Sequence, residues 1–297
     1  MASDSTLSSG WPAPAKLNLF LHIVGRRSDG YHCLQSVFQF IDFSDELSFR
    51  VLDGPQVRRM RTLSGVPEDR DLTVRAARLL QAYASIGQGV EIGIEKRLPM
   101  GGGLGGGSSD AATTLLALNR LWRLDMPRHV LGQLALELGA DVPVFVHGVA
   151  AWAEGIGEIL TPVTLPEPWF VVVVPGVAVS TPGVFKDPDL TRDSPLKTMS
   201  DFLSGGCGND CQQVVFRQYP EVAMAAGALG RFGQARLTGT GGCVFADFPS
   251  IGEARQARDE LVASGHRCFV ARGRNDSPLI ARLARESGDQ QDVSDGP

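Results

Sequence analysis

The sequence predicts an α+β fold divided into two lobes, on three observations. Strand-like and helix-like stretches are mixed without the regular βαβ alternation of a doubly wound sheet. The 297-residue length exceeds what one small core organises. The composition, 43% hydrophobic and 21% charged, is that of a globular protein, not a disordered or fibrous one. We expect a disordered start (1–10), a first lobe over 11–162, a second over 163–285 and a disordered tail over 286–297.

Residues 16–24 alternate around Leu17, Leu19, Leu21 and Ile23, as a half-buried strand does. Arg26 to Gly30 is a turn, followed by strands over 35–43 and 46–51. Over 72–84, Leu72, Ala76, Leu79, Leu80 and Tyr83 recur at helical spacing. A strand over 90–95 leads into a glycine tract and then a helix over 111–122, with Ser108, Ser109 and Asp110 as N-cap chemistry. A second helix over 127–138 stops at Gly139, and 152–160 returns like a hairpin. In the second half, 170–174 reads as a buried strand closed by Pro175-Gly176, and 182–201 as loop with short helices. Helices over 209–217, 222–229 and 253–264 surround a strand–glycine turn–strand unit at 236–245 and a strand over 268–271.

Lys+Arg 28 against Asp+Glu 33 leaves a net charge of −5, with no basic stripe, so a nucleic-acid partner is not expected. The start lacks the apolar core of a signal peptide and no apolar run reaches membrane-spanning length. A cytoplasmic enzyme without a membrane partner is the expectation. The five cysteines are scattered; Cys207 and Cys211 suit a disulfide or half a metal site, but without a matching pair free thiols are expected. Lysine occurs only at Lys16, Lys96, Lys186 and Lys197, so a lysine inside a motif carries weight.

The glycine tract is the strongest signal. Glycine loses much backbone entropy on folding, so Gly101, Gly102, Gly103, Gly105, Gly106 and Gly107 around Leu104 make a costly loop. It persists where side chains would obstruct a close backbone approach, and the helix after it adds N–H groups and a dipole suited to phosphate. A flexible linker is the competing reading, but the strand before and helix after weigh against it. No Gly-Lys-Ser/Thr closes the loop as in a P-loop, and no acid ends a following strand as in a Rossmann unit.

The run Pro99-Met100-Gly101-Gly102-Gly103-Leu104-Gly105-Gly106-Gly107-Ser108-Ser109-Asp110-Ala111-Ala112 resembles the ATP loop of the GHMP kinases. The glycine before the serines and the aspartate after them resemble the branch that acts on a cytidine-diphosphate-linked methylerythritol in the non-mevalonate isoprenoid pathway. Four further stretches resemble that branch: Pro14 to Leu19, Arg27 to His32, Leu138 to Phe145 and Leu237 to Gly241. The resemblance implies a two-lobed GHMP kinase fold with the ATP and substrate cleft between lobes. It also implies ATP-dependent phosphorylation of the substrate's 2-hydroxyl by direct in-line transfer, with ATP and Mg²⁺ as cofactors.

The same resemblance assigns roles. Asp141 is implied as general base and Lys16 as the group that orients or acidifies the hydroxyl; locally, a helix N-cap or turn acid fits Asp141 equally, and a solvated edge lysine is the ordinary reading of Lys16. The nucleotide set is Lys96, Pro99, Met100, the tract glycines with Leu104, Ser108 and Ser109, although Lys96 also reads as a solvated lysine at a strand end. Tyr31, His32 and Phe185 are implied to hold a cytosine, against the plain alternative of a packed aromatic beside a surface imidazole. Asn18, Thr181, Thr240 and Gly241 complete the substrate set, and a hairpin turn is the bland reading of Gly239 to Gly242. No protein ligand for Mg²⁺ is identified beyond Ser108 or Ser109. A monomer and a homodimer both remain open. The alternatives in function are another GHMP small-molecule kinase, of homoserine or mevalonate type, and a catalytically silent nucleotide sensor. Tyr31, His32 and Phe185 argue against the first, and Lys16 with Asp141 against the second. Cys207-Gly208-Asn209-Asp210-Cys211 departs from the family pattern around a matching Asn-Asp.

Overall fold

A computed structural model describes residues 6–28 and 30–288. Asp29, residues 1–5 of the expected disordered start and the tail from 289 lie outside the described residues. The first half runs β1 (Ser8–Arg26), β2 (His32–Leu52), β3 (Val57–Arg59), α1 (Leu72–Ala84), β4 (Gly89–Glu95), α2 (Gly106–Leu121), α3 (Arg128–Leu138), α4 (Val142–His147), β5 (Ala151–Glu154) and β6 (Ile159–Pro162). The second half runs β7 (Trp169–Val173), α5 (Thr181–Lys186), α6 (Met199–Leu203), α7 (Gln212–Gln218), α8 (Pro220–Leu229), β8 (Arg236–Leu237), β9 (Val244–Phe248), α9 (Ile251–Ala263), β10 (Cys268–Arg274) and α10 (Pro278–Gly288).

The sheet order is β3-β4-β2-β10-β7-β9-β8, with β1 on β2 and the β5–β6 hairpin also on β2. All pairings are antiparallel except β3 with β4. Among the described residues, only Gly273↔Ile41 and Arg274↔Phe40 join the two halves of the sheet, so the lobes share a narrow seam. One core lies under α1–α4, around Phe40, Phe49, Leu80, Leu115 and Phe145. A second fills the other half around Val171, Val215, Leu229 and Val244. A third, with Leu17, Phe20, Leu104, Phe170 and Phe245, spans the seam. Fully burying side chains of this size stabilises by about 1.5–3 kcal/mol each, so the seam is a substantial apolar weld.

Several expectations need correction. The chain is ordered as strand from Ser8, ahead of the expected start at residue 11. β1 is buried on both faces rather than half-buried, because α2 and α10 cover one side and the seam core the other. The strands expected over 35–43 and 46–51 form one long β2, whose pairing with β1 shifts register between Phe40 and Ser44. The residues after Gly139 form a helix, α4, that the local valine-rich sequence did not suggest; Pro143 sits in its first turn, where a missing N–H costs nothing. α10 carries helix past residue 285, and Leu279 enters the first core.

Candidate active site

α2 does not begin with the serine cap expected. It starts at Gly106, and its N-cap is Gly105 in the left-handed conformation (φ +72°), with no side chain capping it. The first-turn N–H groups therefore face the cleft unclaimed by any cap, which is the arrangement that takes an anion. Ser108 lines the cleft, whereas Ser109 is wholly buried and its Oγ has no hydrogen-bond partner. Ser109 is thus the one residue of the expected set that does not line this cavity.

Close approach requires glycine at particular positions of the tract. A Cβ on Gly105 would lie 2.6 Å from the Phe145 ring and 3.2 Å from Cε of Lys16. A Cβ on Gly103 would meet Gly241 Cα at 3.1 Å and the Thr238 carbonyl oxygen closer still, at a φ of +79°. The two glycine turns lie against each other as bare backbone: Cys243 N donates to Gly102 O (3.1 Å) and Gly242 N to Gly101 O (3.3 Å). The second turn is therefore more than a hairpin connection.

Lys16 is brought into the cleft by β1. Its backbone N–H donates to Leu104 O (3.0 Å), and register shifts of β1 against β2 on both sides of Lys16–Asn18 aim these alternate residues at one face. Lys16 Nζ donates to Asn18 Oδ1, lies 3.3 Å from Asp141 Oδ2 and sits 5.2 Å from the Phe38 ring centre. The Lys16 side chain is 3% exposed and that of Asp141 41% exposed, so the amine is embedded while the carboxylate stays open to a ligand. Asp141 occupies the N-cap position of α4 but caps nothing. Asn18 is fixed by Ser36 Oγ (2.8 Å from Nδ2) and by Thr238 Oγ1, which accepts from its backbone N–H (3.0 Å).

Lys96 is not a solvated strand-end lysine. It bridges Asp45, a wholly buried carboxylate, and Asp110 Oδ2 (2.8 Å), while lining the cleft beside Gly106. Burial alone would lower its pKa, but Asp110 and Asp45 outweigh it and hold the ammonium charged. Burial pushes Asp110 up to about 7; Lys96 pulls against that and Asp45 adds to it. Asp45 also accepts from the N–H groups of Arg97 (2.5 Å) and Leu98 (2.8 Å), which pins the entry to the glycine loop.

At the far end, His32 and Phe185 stack directly, ring centres 5.0 Å apart at 19°, while Tyr31 is 60% exposed. Burial, then Arg192, then Arg26 hold the His32 imidazole below its ordinary pKa. Thr181 and Thr240 share a hydroxyl hydrogen bond of 2.7 Å within the second lobe. One cavity of about 1030 Å³ reaches from Leu72 and Met100, past the glycine loop and Lys16, to Phe185. It brings together every expected site residue but Ser109, and it is large enough for two ligands end to end. Sequence reading missed Asp45, Ser36, Phe38 and Arg192. Each acts on a site residue from a distant stretch of chain, and no local pattern marks it.

Comparison with known proteins agrees with this geometry. The GHMP kinases N terminal domain family matches residues 71–149 and the GHMP kinases C terminal family matches 190–267. The chain is 58% identical to the 4-diphosphocytidyl-2-C-methyl-D-erythritol kinase of Pseudomonas paraeruginosa over 272 residues, covering 92% of this chain and 96% of that one. It is 55% identical to the kinase of that name from Thiobacillus denitrificans, over 92% and 98%. A crystal structure of 4-(cytidine 5'-diphospho)-2C-methyl-D-erythritol kinase is 36% identical with a TM-score of 0.76, over 88% and 98%. Homoserine kinase from Cytophaga hutchinsonii, 18% identical with a TM-score of 0.64 over 93% and 97%, shares the fold. With both lobes matched and relatives this similar over nearly their full length, the chain belongs to the 4-diphosphocytidyl-2-C-methyl-D-erythritol kinases, a branch of the GHMP kinases.

Proposed function

We propose that the protein transfers the γ-phosphoryl group of ATP to the 2-hydroxyl of 4-(cytidine 5'-diphospho)-2-C-methyl-D-erythritol, in the non-mevalonate isoprenoid pathway. The observation that carries this reading is the buried Lys16 ammonium 3.3 Å from an open Asp141 carboxylate, in the same cavity as an uncapped helix N-terminus. The helix end and loop N–H groups hold the triphosphate. Asp141 takes the hydroxyl proton as the oxygen–phosphorus bond forms and the bond to ADP breaks. Lys16, held by Asn18, stabilises the developing alkoxide. The stacked His32–Phe185 pair and Tyr31 suit an aromatic base at the other end, which homoserine and mevalonate lack.

Among the described residues no group of three or more His, Cys, Asp or Glu forms a metal cage. Mg²⁺ suits oxygen ligands, many of them phosphate and water, and Ser108 is the cleft-facing hydroxyl that fits such a shell. The ion neutralises the triphosphate charge.

The test is an ADP-release assay offering the cytidyl substrate, homoserine and mevalonate to wild type and Asp141→Asn. We expect turnover on the cytidyl substrate alone. Asp141→Asn should lower kcat by about 10²–10⁴ while ATP still binds. Near-wild-type kcat in Asp141→Asn, or faster turnover of homoserine, refutes the reading.

A further inference from the structure

We propose that Arg192 is a positioning residue for the base-binding end of the cleft: it fixes the tautomer of His32 and ties that ring to Phe185. This rests on the reading that a cytosine binds beside His32. Arg192 lies in the loop between α5 and α6, and its guanidinium reaches four acceptors. Its Nε donates to His32 Nε2 (3.3 Å), Nη1 to Leu190 O (3.0 Å), and Nη2 to Phe185 O (2.9 Å) and Asp187 O (2.7 Å).

The chemistry of the donor decides the state of the acceptor. A guanidinium has five N–H donors, no acceptor, and does not deprotonate in proteins. The imidazole nitrogen that faces it must therefore carry a lone pair, which places the single proton of neutral His32 on Nδ1. A protonated His32 would set an imidazolium N–H against the guanidinium. The charged groups acting on the ring, Arg192 and Arg26, are both cationic and oppose that state, in line with its lowered pKa. Nδ1–H makes no hydrogen bond among the described residues, and His32 lines the cavity. The ring thus offers a donor, matched to the acceptor atoms O2 and N3 of a cytosine.

The remaining bonds of Arg192 fix the other aromatic. Phe185 O and Asp187 O are carbonyls of the last turn and C-cap of α5, a helix of only six residues with little stability of its own. Asp187 is clamped from the opposite side by Arg217 (2.6 and 2.7 Å) and Gln218 of α7. Through Arg192, the end of α5 that carries Phe185 and the strand end that carries His32 hold a common geometry with the rings 5.0 Å apart. A lysine at 192 keeps the charge but cannot make this planar fork.

Long-range ¹⁵N–¹H spectra of the imidazoles in the free enzyme, with His32 assigned from a His32→Gln sample, test the tautomer without any substrate. We expect wild-type His32 as the Nδ1–H form with an acceptor-type Nε2. In Arg192→Met and Arg192→Lys we expect a mixed tautomer, and in Arg192→Met a higher His32 pKa as well. For both variants KM for the cytidyl substrate should rise about tenfold, the worth of one well-placed hydrogen bond, while KM for ATP stays within twofold. A protonated Nε2 in the wild type overturns the proposal even if neither variant folds. Unchanged His32 spectra in a folded variant, or KM values for both substrates rising together, also overturn it. If the spectra shift as expected but the cytidyl KM does not, Arg192 still sets the ring and it is the cytosine reading that fails.

Discussion

Replacing Gly103 by alanine isolates the cost of separating the two glycine turns. Gly103 sits at φ +79°, where an L side chain costs about 1–2 kcal/mol. Its Cβ would press on Thr238 O and on Gly241 Cα, both backbone, so no side chain can swing aside. Overpacking of this kind adds about 1–3 kcal/mol, for a total of about 2–5 kcal/mol. In a chain of this size that lowers Tm by about 5–15 °C. Gly107→Ala is the internal control. Its Cβ would meet Leu72 Cδ1 at 3.5 Å, an ordinary contact, and it lies on the first turn of α2, where alanine is the better helix former. Calorimetry and the ADP-release assay together separate the two effects. Gly103→Ala should lose both Tm and kcat. Gly107→Ala should keep its Tm within about 2 °C yet raise KM for ATP, because the added methyl stands in the phosphate cradle. A Gly103→Ala protein with unchanged Tm and full turnover refutes the argument that backbone-to-backbone contact holds the cradle.

Lys96→Met strands two buried carboxylates, Asp45 and Asp110, and breaking a buried pair in this way costs about 3–5 kcal/mol, read as a fall in urea midpoint at pH 8. Asp110 has its folded pKa raised from 3.8 to about 7, so its contribution to stability is complete below pH 4 and is lost as pH rises to 7. Asp110→Asn removes that slope, and the difference in Tm between wild type and variant should change between pH 4 and 7 and level off above. Cys211 and Cys243 are buried, with thiols pushed up to about 12, so a thiol reagent at pH 8 should label neither until the protein unfolds, as peptide mass mapping will report.

What the sequence made legible follows the range of the forces involved. The helix at Leu72–Ala84 was readable because its apolar spacing is local and Asp71, one residue upstream, caps it through the Thr73 N–H. The glycine loop was readable as a place of close backbone approach because Gly103 and Gly105 meet demands that no side chain allows. The start of α2 was not, since Ser-Ser-Asp is cap chemistry by composition, while the left-handed Gly105 ends the loop three residues earlier. α4 was hidden because valine disfavours helix, and packing of Val142, Val144, Phe145 and Val146 in the first core overrides that preference. Asp45 looks like a turn acid in the chain, and only the fold carries it to Lys96, 51 residues on, and to the Arg97 and Leu98 amides. The same holds for Arg192 and His32, 160 positions apart.

The Asn209-Asp210 pair shows how the cysteine-flanked departure in sequence leaves the site intact. Asp210 Oδ2 accepts from Ile23 N (2.7 Å), and Leu21 exchanges backbone bonds with Gly208 and Asp210, so this loop is stitched along β1. Asn209 Nδ2 donates to both Leu237 O (2.9 Å) and Gly239 O (2.8 Å), which holds the second glycine turn from behind. Its Oδ1 accepts from the Cys211 N–H, so the asparagine is fully engaged and the neighbouring sulfur takes no part. That turn in turn meets Gly103 and, through Thr238 Oγ1, the backbone N–H of Asn18. β1 therefore carries Lys16 on one side of the cleft and, through Asn209, also sets the turn that braces the glycine loop on the other. The acid–amine pair and the glycine loop are referenced to one strand. A fixed spacing between them, which in-line transfer requires, follows from that shared support together with the direct bond from Lys16 N to Leu104 O.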